Sequence, residues 1–387
     1  MTGTGLPLAG VRVVEMTHMV MGPTCGMILA QLGVADVIKV EPPAGDKTRS
    51  LGGMGTSFFP LFNRGKRSVV LDFAKAEDRE TMDRLLASAD VFLENFRDGQ
   101  LEKQGLGAGE LRRKYPHLIV AGHKGFLSGP YEHRPALDEV VQMMSGLAAM
   151  TGTSEKPQRV GSSANDIMGG MFGVISILAA LYQKRSGANG ADIRIGLFEN
   201  CLFLVAQHMV EYEMTGVKPR SMPEREHAWP IYDIFETAGG ERIFIGVVTE
   251  GHWLSFCREF GLQEFLDDPA LVSTTDRILA RSKIIPRVAQ EIKRWNVAEL
   301  SERLDLLNIC FSPINRPEDL LTDPHVLRPG GLVNNFNADG KPFRVPALPV
   351  EWNGGTIGEG LQVPVLGADT DAIRAKLNKQ KSTDNAA

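Results

Sequence analysis

The chain has 387 residues, 43% of them hydrophobic and 23% charged, with a formal net charge of −5. That composition fits a globular protein of roughly two or three domains at about 100–200 residues each. The acidic balance excludes a non-specific nucleic-acid binder, which needs a basic face, and cysteines as scattered as Cys25, Cys201, Cys257 and Cys310, with no CxxC pair, argue against a disulfide framework or a zinc site.

In chain order, VRVVEM (11–16) reads as a buried strand, and TCGMILAQLG as a short helix after Pro23 that Gly33 ends. VADVIKVE (34–41) and KRSVVLDF (66–73) read as the next two strands. EDRETMDRLLASA is an amphipathic helix leading into the strand DVFLENF (90–96). ELRRKYP then reads as a helix and HLIVAGHKGF as a strand. Strands alternating with helices point to a parallel sheet clothed on both faces. Helices follow from about Asp138 and about Asp166, and ADIRIGLFEN (191–200) reads as a strand running into a helix that reaches about Gly216.

The segment 217–230 is polar and Pro-containing and reads as a linker. Beyond it, IYDIFETAGGERIFIGV reads as two strands joined at Gly239–Gly240. Helical segments run from about His252 to Leu307. A Pro-rich stretch, short strands and a last helix near TDAIRAKL come next, then a tail expected to be disordered. The opening residues lack the pattern of a signal peptide. The apolar run Met171–Tyr182 has 12 residues, short of the ~18–20 that span a bilayer. No membrane, a cytoplasmic address and no resident metal are the expectations. A dinucleotide-binding oxidoreductase is disfavoured, because the turn after the first strand reads THMVMGP instead of GxGxxG.

Asp166, in NDIMGG, has two readings. It caps the helix that follows, as Asp often does and as Asn165 also can. Alternatively it is a nucleophile: a carboxylate attacks an acyl thioester, the helix N-terminus favours nearby negative charge, and Gly169, Gly170 and Gly173 let a substrate approach closely. The cations Arg64, Lys66 and Arg67 in NRGKRS are either solvated surface charges or phosphate ligands.

These pieces, taken together and in order, resemble the class III CoA-transferases, a superfamily that includes formyl-CoA and carnitine CoA-transferases and alpha-methylacyl-CoA racemases. The matching segments are PLAGVRVVEMTHMVMGP, LGVADVIKVEPPAGDKTR, NRGKRSVVLDF, ADVFLENFRDGQLEKQGLG, GFLSGP, ALDEVVQMMSG, NDIMGG and, near the end, LPVEWNGG and VPVLG. The resemblance implies an α/β fold. Its Rossmann-like large domain is built from both chain ends, 1–216 and 326–377. A smaller α+β domain is inserted at 231–325 behind the linker, and residues 378–387 form the tail. It also implies an interlocked homodimer.

The resemblance implies that Asp166 is the covalent residue of a CoA-transferase. It would pass CoA from a donor such as succinyl-CoA to an organic acid, through a mixed anhydride and an aspartyl-CoA thioester, with CoA thioester as substrate and no permanent cofactor. By position it implies CoA contacts at Val20, Met21, Leu71, Asp72, Phe73, Ala74, Asn95, Phe96, Arg97, Lys103, Arg134, Ala136 and Leu137. Supporting roles fall to His18, Asp138, Gly169 and Gly170. For His18, a buried, hydrogen-bonded structural role is the favoured expectation, and for Asp138 a helix cap is the alternative. Racemases carry a histidine where Leu137 stands, and leucine cannot carry a proton, so proton exchange is the second reading and a silent CoA-binding protein the third. Pro42 stands where some members bind CoA with arginine, which leaves Arg49 as a substitute cation. Formyl-CoA:oxalate members carry glutamine at the place of Val20, which disfavours those acids here and suggests an apolar acyl pocket with Met19, Met21 and Met54. His227, Trp229, Tyr232 and His252 are candidates for acyl contacts.

Overall fold

The computed structural model describes residues 6–384, with side chains through 379. The chain divides into two compact units, one made of the chain up to Pro223 together with the part from His325 on, the other of Glu224–Pro324.

The first unit begins β1 (Arg12–Met16), α1 (Met21–Gln31), β2 (Asp36–Glu41), α2 (Phe58–Asn63), β3 (Arg67–Val70), α3 (Ala76–Ala87), β4 (Val91–Glu94), α4 (Ala108–Lys114) and β5 (Ile119–Lys124). It continues with α5 (Asp138–Met144), α6 (Leu147–Thr151), α7 (Ala164–Lys184), β6 (Asp192–Gly196) and α8 (Leu197–Thr215). The strands make one six-stranded sheet in the order β3-β2-β1-β4-β5-β6. Every pairing in it is parallel; Val13, for example, lies opposite Val37 on one side and Val91 on the other. Val13, Val14, Val69, Val91 and Phe92 are buried, as strands covered on both faces require. One core lies between the sheet and α1, α7 and α8, and includes Val13, Leu29, Ile177 and Cys201. The other lies against α3 and α4, with Val14, Leu85, Phe92 and Leu111.

Helix α7 is long and apolar enough to cross a membrane by length and composition. Here its inner face, with Gly169, Gly170, Gly173, Val174 and Ile177, is buried in the core. Helix α8 ends at Gly216, whose φ of 68° suits glycine and whose N–H reaches Tyr212 O.

The second unit holds β7 (Ile231–Glu236), β8 (Arg242–Val247), α9 (Glu250–Glu259), α10 (Gln263–Asp267), α11 (Thr274–Leu279), α12 (Arg281–Ile292), α13 (Val297–Leu306) and β9 (Cys310–Pro313). Its antiparallel sheet, β7-β8-β9, packs on a core of Trp253, Phe256, Ile284 and Leu300. Strand β9 straddles the start of what the sequence presents, from Ser312, as an irregular Pro-rich stretch. It is only four residues long, and none of them is fully buried, so no apolar run marks it as a strand.

The first unit then resumes with β10 (Leu332–Phe336), β11 (Pro342–Pro346) and α14 (Thr370–Asp384). This return docks on β3: Asp369 accepts from Arg67 Nε (2.9 Å) and from Ser68 N (3.0 Å), and Thr370 Oγ1 from Val70 N (3.0 Å). Helix α14 runs on to Asp384, into the stretch expected to be disordered from 378; residues 385–387 of that stretch lie outside the described residues.

Candidate active site

The strand order reverses between β1 and β4, and in parallel α/β sheets ligands bind in the crevice at such a switch point, beyond the carboxyl ends of the strands. The loop after β1 is held there on several sides. Asn95, just past β4, clasps His18, accepting from its N–H (3.0 Å) and donating to its carbonyl (2.8 Å). Thr48 Oγ1 accepts from Met19 N (3.0 Å), and Lys39 Nζ donates to Thr17 O (2.7 Å). Met19 takes a φ of 61°, a conformation unusual for a residue with a side chain, and these bonds hold it there.

Beneath the loop is a buried ion network. Lys66 Nζ meets Glu15 Oε1 (2.7 Å), Asn63 Oδ1 and Pro23 O, and Lys39 meets Asp46 (2.9 Å). Burial pulls the Lys66 ammonium down to about 8. The cations expected at a phosphate are therefore taken. Lys66 is buried with Glu15. Arg64 is buried against Leu61 O. Arg67 pairs with Asp36 and Asp369. Arg49 forks onto Glu41 (2.6 and 2.7 Å), donates to Pro364 O (2.9 Å) and stacks over Phe59, 3.9 Å from the ring centre, so its charge is already neutralised. The signal for this network is in the sequence: Glu15 and Lys39 are charges inside otherwise apolar strands, and such charges persist when paired.

Asp166 lies on the first turn of α7. Ser163 is the N-cap, so the capping reading of Asp166 is not what the structure shows; neither is it for Asn165, which is buried and bonded to Leu197 O and Asn200. The Asp166 carboxylate takes part in no hydrogen bond or ion pair among the described residues, although burial and then the charges of Asp138 and Glu139 push it up to about 7. Its backbone N–H donates to Asp138 Oδ1 (3.1 Å). Asp138 is the first residue of α5, not its cap, and burial raises its own carboxyl.

The glycines of α7 serve packing, not substrate approach. A side chain at Gly170 would lie 2.8 Å from Met21 O and 2.7 Å from Thr24 Cβ, and one at Gly173 would lie 2.5 Å from His123 Nε2. At Gly169 it would meet Met21. They let α1 press against α7, which brings the β1–α1 loop to the turn that carries Asp166. His123, buried under this contact, is driven down to about 4 by burial and is neutral.

The remaining expected residues distribute as follows. Val20, Met21 and Leu71 are buried; Asp72, Phe73 and Ala74 follow β3; Phe96 lies beside the His18 ring, 5.5 Å between centres. His18 itself reaches the surface, contrary to the buried role expected, and partial loss of water lowers its imidazole. Arg97 and Lys103 are exposed and carry no ion pair among the described residues. Arg134 stacks on Tyr131, Ala136 is half-buried, and Leu137 is 63% exposed. Met54 is 76% exposed. In the second unit, Trp229 stacks on Tyr232 and Arg281 holds Trp229 O and Asp233.

A cavity of about 600 Å³ lies elsewhere, lined by Glu94, Leu101, Val120, Lys124 and Arg194. Val120, Gly122 and Lys124 alternate with Ala121 and His123 along β5, so this cavity opens on the sheet face away from α7.

The sequence model for CoA-transferase family III matches residues 8–370. A succinyl-CoA:D-citramalate CoA-transferase from Chloroflexus aurantiacus is 30% identical, over 91% of this chain and 92% of its own. An acetyl-CoA:oxalate CoA-transferase from Acetobacter aceti is 35% identical, over 89% of this chain and 92% of its own. The crystal structure of a CaiB/BaiF family protein from Brucella suis superposes with a TM-score of 0.86 at 31% identity, covering 96% of this chain and 99% of that one.

Proposed function

The chain belongs to CoA-transferase family III, and we propose from that premise that it passes CoA from a donor acyl-CoA to a short dicarboxylic acid, with Asp166 as the covalent carrier. The observation that carries the proposal is the Asp166 carboxylate. It is unpaired, raised to about 7, and sits on a helix turn beside the switch-point crevice. A carboxylate raised in this way is a stronger nucleophile than an ordinary aspartate, and acylation removes the charge that burial and its neighbours oppose.

In the proposed cycle, an Asp166 oxygen attacks the thioester carbonyl. The C–S bond breaks and CoA leaves as thiolate with the electron pair. The thiolate then attacks the Asp166 carbonyl of the anhydride, which frees the donor acid and leaves an aspartyl-CoA thioester. The acceptor carboxylate attacks that thioester and again expels the thiolate. The thiolate takes the acceptor acyl group, and Asp166 returns as carboxylate. No proton needs a dedicated acid or base, and no resident cofactor is invoked. In this reading Asn95 and Phe96 flank the nucleotide end of CoA, and the unpaired Arg97 and Lys103 meet its phosphates.

The acid class rests on relatives named for D-citramalate and oxalate, and oxalate stays within it although Val20 replaces the glutamine expected of formyl-CoA:oxalate enzymes. Proton exchange is disfavoured by Leu137, which is exposed and aprotic at the place of the racemase histidine. We also propose a homodimer. Met143, Met171, Ile175, Phe203, Val210 and Met214 on α5, α7 and α8 are all exposed, an extent of apolar surface that points to a covered face.

The test is a CoA-exchange screen by mass spectrometry with succinyl-CoA or acetyl-CoA and a panel of mono- and dicarboxylic acids. New dicarboxylyl-CoA formed by the native protein and not by Asp166→Ala is the expected result. Transfer retained by the variant overturns the assignment of Asp166. Solvent deuterium entering the acyl chain without transfer favours proton exchange instead.

A further inference from the structure

Helix α5 carries a side chain that the proposed mechanism does not use. Gln142 is fully buried, one turn after Asp138. Its Nε2 donates to Asp138 Oδ2 (2.5 Å), and its Oε1 accepts from Val160 N (2.9 Å). The other oxygen of Asp138 takes the N–H of Asp166 (3.1 Å). One carboxylate and one amide thus grip both ends of the segment 160–166 that leads into α7. The orientation of the amide is dictated: turned over, it would set oxygen against the Asp138 carboxylate and donor against the Val160 donor. Behind it, Ser145 Oγ bonds Cys201 Sγ (2.9 Å), tying the end of α5 to α8.

We propose that Gln142 is a positioning residue for the nucleophile. By fixing Asp138 in the one orientation that receives the Asp166 N–H, and by holding Val160, it sets where the first turn of α7 presents the Asp166 carboxylate. The proposal rests on the reading of Asp166 as the acyl carrier. The charge of Asp138 also opposes that of Asp166, and that repulsion disappears when Asp166 is acylated. The charged and titratable groups around this turn are Asp138 and Glu139 from α5, Arg159 from the lead-in, paired with Glu139, and His123 from β5. Arg159 lies 4.0 Å from Asp138 Oδ2, so Asp138 is not unopposed, and the hydrogen bonds, not an ion pair, determine its orientation.

A reciprocal exchange tests this. Gln142→Glu alone sets two carboxylates face to face, and Asp138→Asn alone sets two amide donors face to face. The double variant, Asp138→Asn with Gln142→Glu, restores every bond: Asn at 138 accepts from Asp166 N and donates to Glu at 142, which still accepts from Val160 N. Each single variant is expected to lose about 10- to 100-fold in kcat with KM within about threefold, the effect of misplacing a reacting group by one broken charged hydrogen bond. The double variant is expected to recover kcat to within about tenfold of the native protein, the remainder reflecting the charge moved one bond away. A role confined to folding would not give reciprocal rescue in kcat at constant KM.

Amide hydrogen exchange at Val160 and Asp166 provides a readout without turnover, faster in both single variants and slow again in the double. It decides the network even if the native protein proves to transfer no CoA. Exchange unchanged in the single variants, or a double variant no more active than either single one, overturns the proposal.

Discussion

Replacing Asp166 with Asn should make the protein more stable at about pH 8. The carboxylate has no hydrogen bond or ion pair to lose among the described residues, while burial and the charges of Asp138 and Glu139 oppose its ionisation. Its folded value of about 7, against 3.8 unperturbed, is a rise of about three units, or roughly 4 kcal/mol at most. Partial contact with water reduces that to about 2–4 kcal/mol. Because the folded value lies above the unfolded one, the folded state holds the extra proton between about pH 4 and 7. The native protein therefore loses this stability as pH rises through about 7, and the advantage of the variant is greatest above it. At about pH 5 the gain shrinks to under about 2 kcal/mol, and below about pH 3.8 it vanishes. Urea unfolding followed at about pH 8 and about pH 5 measures the difference as a shift in midpoint with unchanged slope. Equal midpoints at the higher pH, or a gain independent of pH, would refute the reasoning that Asp166 is held in a costly charged state.

Other consequences follow from the same site. The acid limb of kcat/KM should fall about tenfold per pH unit below about 7, since the nucleophile must be ionised; a flat profile down to about pH 5 contradicts it. Gly170→Ala should cost about 1–3 kcal/mol by forcing α1 away from α7, visible as a lower melting temperature with transfer impaired as well. Lys66→Met should destabilise by about 2–4 kcal/mol because it takes away the nearest cation of buried Glu15 and leaves it only Lys39, 3.8 Å away, and the Thr17 hydroxyl, a loss that a Glu15→Gln second change should partly restore. Asn95→Ala, which releases both His18 backbone groups, should raise KM for the acyl-CoA about tenfold while leaving the fold intact by circular dichroism.

Much of the sheet was legible because its strands are buried on both faces and read as apolar runs: VRVVEM, VADVIKVE and DVFLENF all became strands within a residue or two. Helix α2 and strand β9 were not legible. FFPLFN carries a central proline, and CFSP is four residues long and ends in proline, so neither is long enough to show a periodic face. At the site, Asp166 stood out as a lone carboxylate before an apolar helix, but its freedom from a cap depended on Ser163 taking the terminal position, a matter of backbone angle. The α7 glycines were misread because sequence shows that a surface is bare without showing what lies against it; Met21, Thr24 and His123 come from distant parts of the chain. The same limit hid the fate of Arg49 and Lys66. A cation in a loop looks available until the fold sets Glu41 and Glu15 beside it.

The central claim is that Asp166 becomes covalently joined to acyl groups and CoA, and isotope transfer tests it most directly. The native protein is turned over with donor acyl-CoA and an acceptor acid whose carboxylate carries heavy oxygen, then digested and weighed. When CoA takes the acceptor acyl group from the anhydride, the bridging oxygen, which came from the acceptor, stays on the aspartate. The account predicts heavy oxygen in the peptide bearing Asp166, accumulating with turnover and located on its carboxylate by fragmentation. New acyl-CoA formed while that peptide stays light would mean that the acids exchange CoA without passing through Asp166.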